Sequence, residues 1–242
     1  MPDPREIAEL LWRVAAEADA VAGPRLSARG IVLAGIRVAD AEGLDALSMQ
    51  RVGRELGCTA MALYRHVGGK EQLLAAMVDA ATGSPPPAVG DAHWRRDVEG
   101  WADALWHLYL RHPWLLRAPT TGAPVGPGEL AWFEALLAPL SRSGLDPAEL
   151  VPVATFLSGA VRDLARVATE LDPEGAAAYG QVLAERLDPS RFPVLTSLIG
   201  GPGLDEEEDG DVAPILRLGL ARLLDGIERD AQDARDARDT ES

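Results

Sequence analysis

The chain has 242 residues, a formal charge of −15 at neutral pH, 47% hydrophobic residues and one cysteine, Cys58. That length holds one large domain or two small ones with a substantial core. No apolar run approaches the ~20 residues of a membrane span, and there is no basic, then apolar leader. A lone cysteine excludes an intrachain disulfide, so a cytoplasmic protein is expected.

Taken in order, Pro4–Val21 reads as an amphipathic helix, with Ile7, Leu10, Leu11, Val14, Ala18 and Val21 on one side. It holds more acids than bases, so a packing role is expected rather than a DNA contact. Gly23-Pro24 closes this extension (1–23). A helix over Gly30–Gly43 follows, with Ile31, Ala34 and Val38 at helical spacing. Ser48 then suits an N-cap, its hydroxyl accepting from an orphan N–H of the first turn. Val52 and Leu56 share a buried face, Gly53 leaves room between them for a crossing helix, and Gly57 stops the helix with a positive φ. A second short helix, Thr59–His66, turns Leu63 inward and Ala60, Met61, Tyr64 and Arg65 outward. The pattern is a helix-turn-helix, whose second helix lies in a DNA major groove. Cys58 sits where that motif needs a small apolar plug.

The run LYRHV (Leu63–Val67), with Lys70 and Leu73-Leu74 beyond it, resembles the TetR family of bacterial transcriptional repressors. Gly30–Gly43 is similar to that family's first helix, and the likeness spans Leu26–Val78. The stretches WRRDVEGWADALWHLYLRHPWLL and GLARLLDGIE look like the tetracycline-repressor-type C-terminal domain. The resemblance implies an all-α protein: a three-helix DNA-binding domain (24–70), a connecting helix (71–83) and a helical-bundle domain for ligand binding and dimerisation (84–229). It also implies that Ser48, Gln50, Thr59, Tyr64, His66 and Lys70 contact phosphates or sugars. Gln50, Ala60 and Met61 are best placed at base edges, beside Arg65. Ala60 and Met61 offer only apolar contacts, so DNA shape is expected to supplement direct readout.

A charge of −15 conflicts with phosphate binding, and its distribution resolves the conflict. Residues 24–70 carry seven arginines and lysines against four acids, or +3, leaving −18 for the remainder. Screening confines each patch to about 8–10 Å at physiological salt. Lys70 is the only lysine beside 22 arginines, a bias that suggests a GC-rich genome.

Gly69–Ala81 reads as the connecting helix, ended by Gly83 and SPPP. Beyond it every element is expected to be helical. Trp94, Val98, Trp101, Leu105 and Leu108 form one stripe, and Glu129–Ser143 makes a helix bent near Pro139. A long helix runs from Asp146-Pro147 to Leu171, and shorter helices cover Pro173–Leu187 and Pro189–Ile199. Gly200–Asp211 is an acidic loop, Pro214–Arg229 the last helix, and 230–242 a frayed charged tail. Two faces suggest a homodimer: Val153, Phe156, Leu157, Ala160, Leu164 and Val167 on the long helix, and Leu216, Leu220, Leu223 and Ile227 on the last.

Five of six tryptophans fall between Trp94 and Trp132. Trp101, Trp106, Tyr109, Trp114 and Trp132, with Phe156, suit an apolar pocket. Arg117, Thr120, Thr155 and Arg162 are its candidate polar partners.

There is no phosphate loop and no nucleophile elbow. The four histidines include no pair at metal-ligand spacing on one helix face. No catalytic residue, metal or cofactor is expected. The reading is a repressor released from a palindromic DNA operator by a small hydrophobic or aromatic effector. The alternative is a helical binding or scaffold protein that no longer reads DNA. The acid-free run Thr59–Lys70 favours the first.

Overall fold

The computed structural model describes residues 3–17, 26–88, 93–119, 125–170, 182–183, 185–199 and 213–240, and among them the regular structure is entirely helical. The elements are α1 (Pro4–Ala16), α2 (Ala28–Glu42), a 3-10 turn (Leu44–Ala46), α3 (Met49–Leu56), α4 (Ala60–Val67) and α5 (Lys70–Thr82). The second half holds α6 (Trp94–Arg111), α7 (Trp114–Arg117), α8 (Pro127–Leu140), α9 (Pro147–Glu170), α10 (Pro193–Ile199) and α11 (Ala213–Thr240).

Helices α2, α3 and α4 pack around Ile31, Val32, Val52, Leu63 and Val67, all buried. The Ser48 hydroxyl accepts from Arg51 N–H at 3.1 Å, and Gly57 ends α3 at φ 66°. A Cβ on Gly53 would sit 2.8 Å from the Cys58 carbonyl oxygen, so only glycine lets the turn close over α3. Cys58 is half-buried against the core, as a plug would be.

Helix α5 leaves this head and enters the second bundle, where α6, α8 and α9 pack on one another. Val98, Trp101, Leu105 and Leu108 are buried, and so is Trp106, which lies off that stripe. Pro139 stands inside the last turn of α8, which ends at Leu140. The tail expectation is corrected: α11 continues through Thr240, with Ala231 packed over Gly144. The expected helix Pro173–Leu187 and the loop Gly200–Asp211 fall mostly or wholly outside the described residues.

The dimer faces also need correction. Leu157, Leu216, Leu220 and Ile227 are buried within the chain's own bundle. The apolar residues left outside are Val151 and Phe156 on α9, and Ile215 and Leu218 on α11. Period 3.6 fixes a stripe, but not which of two stripes faces the protomer's own core.

Candidate DNA interface and effector site

Helix α4 buries Leu63 and Val67 and turns the other side out. Gln50, Thr59, Met61, Tyr64, Arg65 and Lys70 are exposed, while Ser48, Ala60 and His66 are half-buried. Met61 is 67% and Tyr64 45% exposed, an unusual display of apolar surface for so small a unit. Lys70 occupies the first turn of α5, where free backbone N–H groups favour an anion. The run Thr59–Lys70 contributes no acid to this side of the head, and the first acid after it is Glu71, exposed in the first turn of α5. Arg51 is withdrawn from that side: it pairs with Glu42 and Glu55, and its hydrogen bond holds Glu42 below the usual carboxylate range.

Most of the eight aromatic and cationic residues expected at a pocket have their polar groups bonded within the fold. Trp101 donates its indole N–H to the Trp132 carbonyl at 2.8 Å, and the two rings meet edge-on at 6.1 Å. Trp132 in turn donates to the Thr82 carbonyl at 2.9 Å, at the end of α5. Trp114 donates to Asp40 on α2 at 2.6 Å, and Arg117 is exposed and paired with Asp45 at 3.0 Å. Phe156 is 64% exposed, on the outer face of α9. Arg162 donates to the carbonyls of Leu115, Leu116 and Ala118, closing the end of α7. Thr155 bonds its own helix at Val151, and Thr120 lies outside the described residues. Indole and guanidinium donors, which composition assigns to a ligand, are here spent on orphan carbonyls and carboxylates.

Among the described residues, a polar cluster and a cavity stand out in the second bundle. Tyr109, half-buried, and Glu129 lie beside Arg162, next to Asp79 of α5. Burial raises the Tyr109, Glu129 and Asp79 pKa values; Glu129 is raised further by the Asp79 charge and partly lowered by Arg162. Separately, a cavity of about 420 Å³ lies between α6 and α11, bounded by Ala102, Trp106, Leu216 and Leu220, with Glu99, Asp103 and Arg217 also lining it. Of the eight expected residues, only Trp106 lines that cavity.

The connecting helix was expected, but the side-chain bonds that join the two bundles were not. Asp79, 5% exposed, accepts Glu129 N–H at 3.0 Å, capping the start of α8. A Cβ on Gly128 would come 2.3 Å from the Asp79 carbonyl oxygen, so glycine permits this approach of α8 to α5. Asp40 Oδ1 receives the Trp114 indole and meets His112 Nδ1 at 2.7 Å, joining the end of α2 to the α6–α7 corner. An acid inside an apolar helix, as at Asp79, is the one signal that could have marked a joint.

Residues 31–77 match the profile described as bacterial regulatory proteins, tetR family, and residues 86–231 match the tetracyclin repressor-like C-terminal domain. The chain belongs to the TetR family. This TetR-family protein is 35% identical over 232 residues to the HTH-type transcriptional repressor DrrR1 of Streptomyces coeruleorubidus, covering 91% of this chain and 84% of that one. It is 30% identical over 139 residues to an HTH-type transcriptional regulator of Saccharopolyspora erythraea, covering 57% and 59%. Among solved structures, apo ActR of Streptomyces coelicolor superposes with a TM-score of 0.76 at 28% identity, over 88% of this chain and all of that one. ActR in complex with actinorhodin gives 0.73 at 28% identity, over 86% and 99%. The family places a DNA-binding, ligand-responsive transcriptional repressor on this fold. Among the described residues no helix is long and apolar enough to cross a membrane.

Proposed function

We propose that this TetR-family repressor acts as a homodimer on a palindromic operator and is released by a small hydrophobic or aromatic effector bound in residues 84–229. The observation that carries the reading is the acid-free outer surface of Thr59–Lys70, joined through α5 to the start of α8. Residues 24–70 form the reading head, 71–83 the lever, 84–229 the effector and dimer domain, 1–23 an extension packed on head and body, and 230–242 a charged C-terminal segment. Ser48, Thr59, Tyr64, His66 and Lys70 hold phosphates and sugars; Gln50, Ala60, Met61 and Arg65 face base edges.

One head is a weak binder, so two are joined through the outer faces of α9 and α11, where Val151, Phe156, Ile215 and Leu218 are exposed. Half-sites then stand about one DNA turn (~34–36 Å) apart. The similarity to ActR in complex with actinorhodin supports an organic effector. The cavity between α6 and α11 and the Tyr109–Glu129–Arg162 cluster are the two places for it. The protein works in the cytoplasm, by binding and not by catalysis.

The test is selection of a duplex from a random pool, followed by binding at several salt concentrations. Lys70→Ala should lower the salt slope by roughly one, and Tyr64→Ala should weaken all duplexes alike. Wild-type protein that shows no salt-dependent duplex binding refutes the reading.

A further inference from the structure

The N-terminal helix α1 touches every part of the molecule that a switch needs. Leu10, Leu11 and Val14 are buried, and the helix packs on α2, α5 and α8. Its Arg13 Nη2 donates to the His66 carbonyl at 2.7 Å, in the last turn of α4. The final carbonyls of a helix lack partners within it, and a cation suits that negative end. One residue earlier, Trp12 Nε1 donates to the Val125 carbonyl at 3.2 Å, just ahead of α8. Leu11 closes on the same corner: a Cβ on Gly126 would come 2.5 Å from its Cδ2. Glu17, just past α1, accepts Arg29 N–H at 2.8 Å in the first turn of α2.

We propose that α1 is a strut linking the start of α8 to the recognition helix by a path separate from the connecting helix, with Arg13 as the positioning residue. The proposal rests on the reading of α4 as the element that enters DNA. A helix of thirteen residues is a stiff rod of about 20 Å, and its C-terminal half holds all of these ties, at Leu11, Trp12 and Arg13 with Glu17 just beyond. A DNA-reaching arm would need cations free of the protein. Of the two cations on α1, Arg13 is held by a carbonyl, and Arg5 stands exposed at the far end of the helix beside Glu6. Displacement of the start of α8 therefore pushes on the last turn of α4 through Trp12, Leu11 and Arg13.

The test compares wild-type protein with Arg13→Met, Trp12→Phe and the double variant, on a duplex selected from a random pool and on a scrambled duplex. Each single change should lower the preference for the selected duplex by about three- to tenfold and leave the salt slope unchanged. The double variant should fall no further than the more severe single one, because both cut the same strut. Hydrogen exchange on the DNA-free protein should show faster exchange of the 64–67 amides in both single variants. A salt slope lowered by about one in Arg13→Met, with equal loss on both duplexes, identifies a phosphate contact and overturns the proposal. So does a Trp12→Phe variant that matches wild type in preference and exchange. If wild-type protein selects no duplex, the DNA reading fails, while exchange still decides the strut.

Discussion

Removing the Asp40 carboxylate separates the reading head from the effector bundle at one defined point. In Asp40→Ala the indole N–H of Trp114 loses its acceptor at 2.6 Å, and His112 loses a partner at 2.7 Å. Trp114 is 3% exposed, so water reaches its ring poorly and the stranded donor should cost about 1–3 kcal/mol. His112 is partly solvated and adds less. A domain of this size shifts its melting temperature by about 2–4 °C per kcal/mol, which places the loss at roughly 2–12 °C. Trp114→Phe removes the donor instead and keeps the carboxylate, which can turn to water. It loses the bond and some ring area, about 1–2 kcal/mol. The double variant should be less destabilised than the two single losses together, since once one partner is gone the other has nothing left to lose. Thermal melts of the four proteins, followed by circular dichroism, give the coupling. Strictly additive losses would refute the account, because they would mean that the indole and the carboxylate do not depend on each other. Arg117→Ala is the control: its pair with Asp45 is exposed on both sides and should change stability little.

Other outcomes follow from close approaches and buried charge. Gly53→Ala sets a Cβ 2.8 Å from a backbone oxygen, which cannot rotate away; the expected loss is about 1–3 kcal/mol in a denaturation curve, with weaker duplex binding. Asp79 has its pKa raised above 3.8 by burial, so its ionised form opposes folding above the folded pKa. That penalty fades as pH falls through the folded value towards 3.8, and Asp79→Asn should therefore show a flatter stability profile over this window. Glu129, raised mainly by burial and then by the Asp79 charge, should titrate lower in the same variant, which carboxylate NMR can follow. Phe156→Arg, on an exposed site of α9, should leave the melt nearly unchanged and shift sedimentation towards the monomer.

The reading head was legible because its constraints are local. Ser48 as cap, Gly53 as close approach, Gly57 as stop and Leu63 as the inward residue of α4 each act within a few residues, and one chain segment displays them all. The outer face of α4 follows from the same periodicity. The effector domain was legible only as helices. Which stripe of α9 and α11 faces inward depends on partners distant in sequence, so Leu216 and Leu220 read as interface when they are core. The tryptophans misled for a related reason. Composition shows an aromatic cluster, but whether an indole N–H is free for a ligand depends on which carbonyl lies nearby. Here Trp101, Trp114 and Trp132 each have one acceptor or more within the protein. The α1 contacts, from Trp12 to Val125 and Arg13 to His66, join residues more than 50 positions apart, which no local pattern encodes.

The joints also set the scale of the proposed switch. An effector that changes operator affinity 5–150-fold needs a coupling of only about 1–3 kcal/mol. A single hydrogen bond to a charged group is worth about that much. Head and body meet through a small set of hydrogen bonds, charged at Asp79 on the start of α8, Asp40 at the α6–α7 corner and Arg13 on α1, and neutral at Trp132 on the end of α5 and Trp12 on α1. They attach at different places, Asp40 to the end of α6, Arg13 to the end of α4, and the rest to α8 or its approach. A ligand seated against α6 that shifts it relative to α8 cannot preserve both attachments. The head then follows one and breaks with the other, and the broken bonds supply a coupling of the required size without unfolding either bundle. Reciprocally, DNA that fixes both heads restores the attachments and opposes the ligand by the same factor. Removing Asp40 should therefore reduce this mutual exclusion while leaving each ligand's separate binding largely intact. Titrating an effector into free and DNA-bound Asp40→Ala protein measures that difference, and an undiminished one would assign the coupling to α5 and α8 alone.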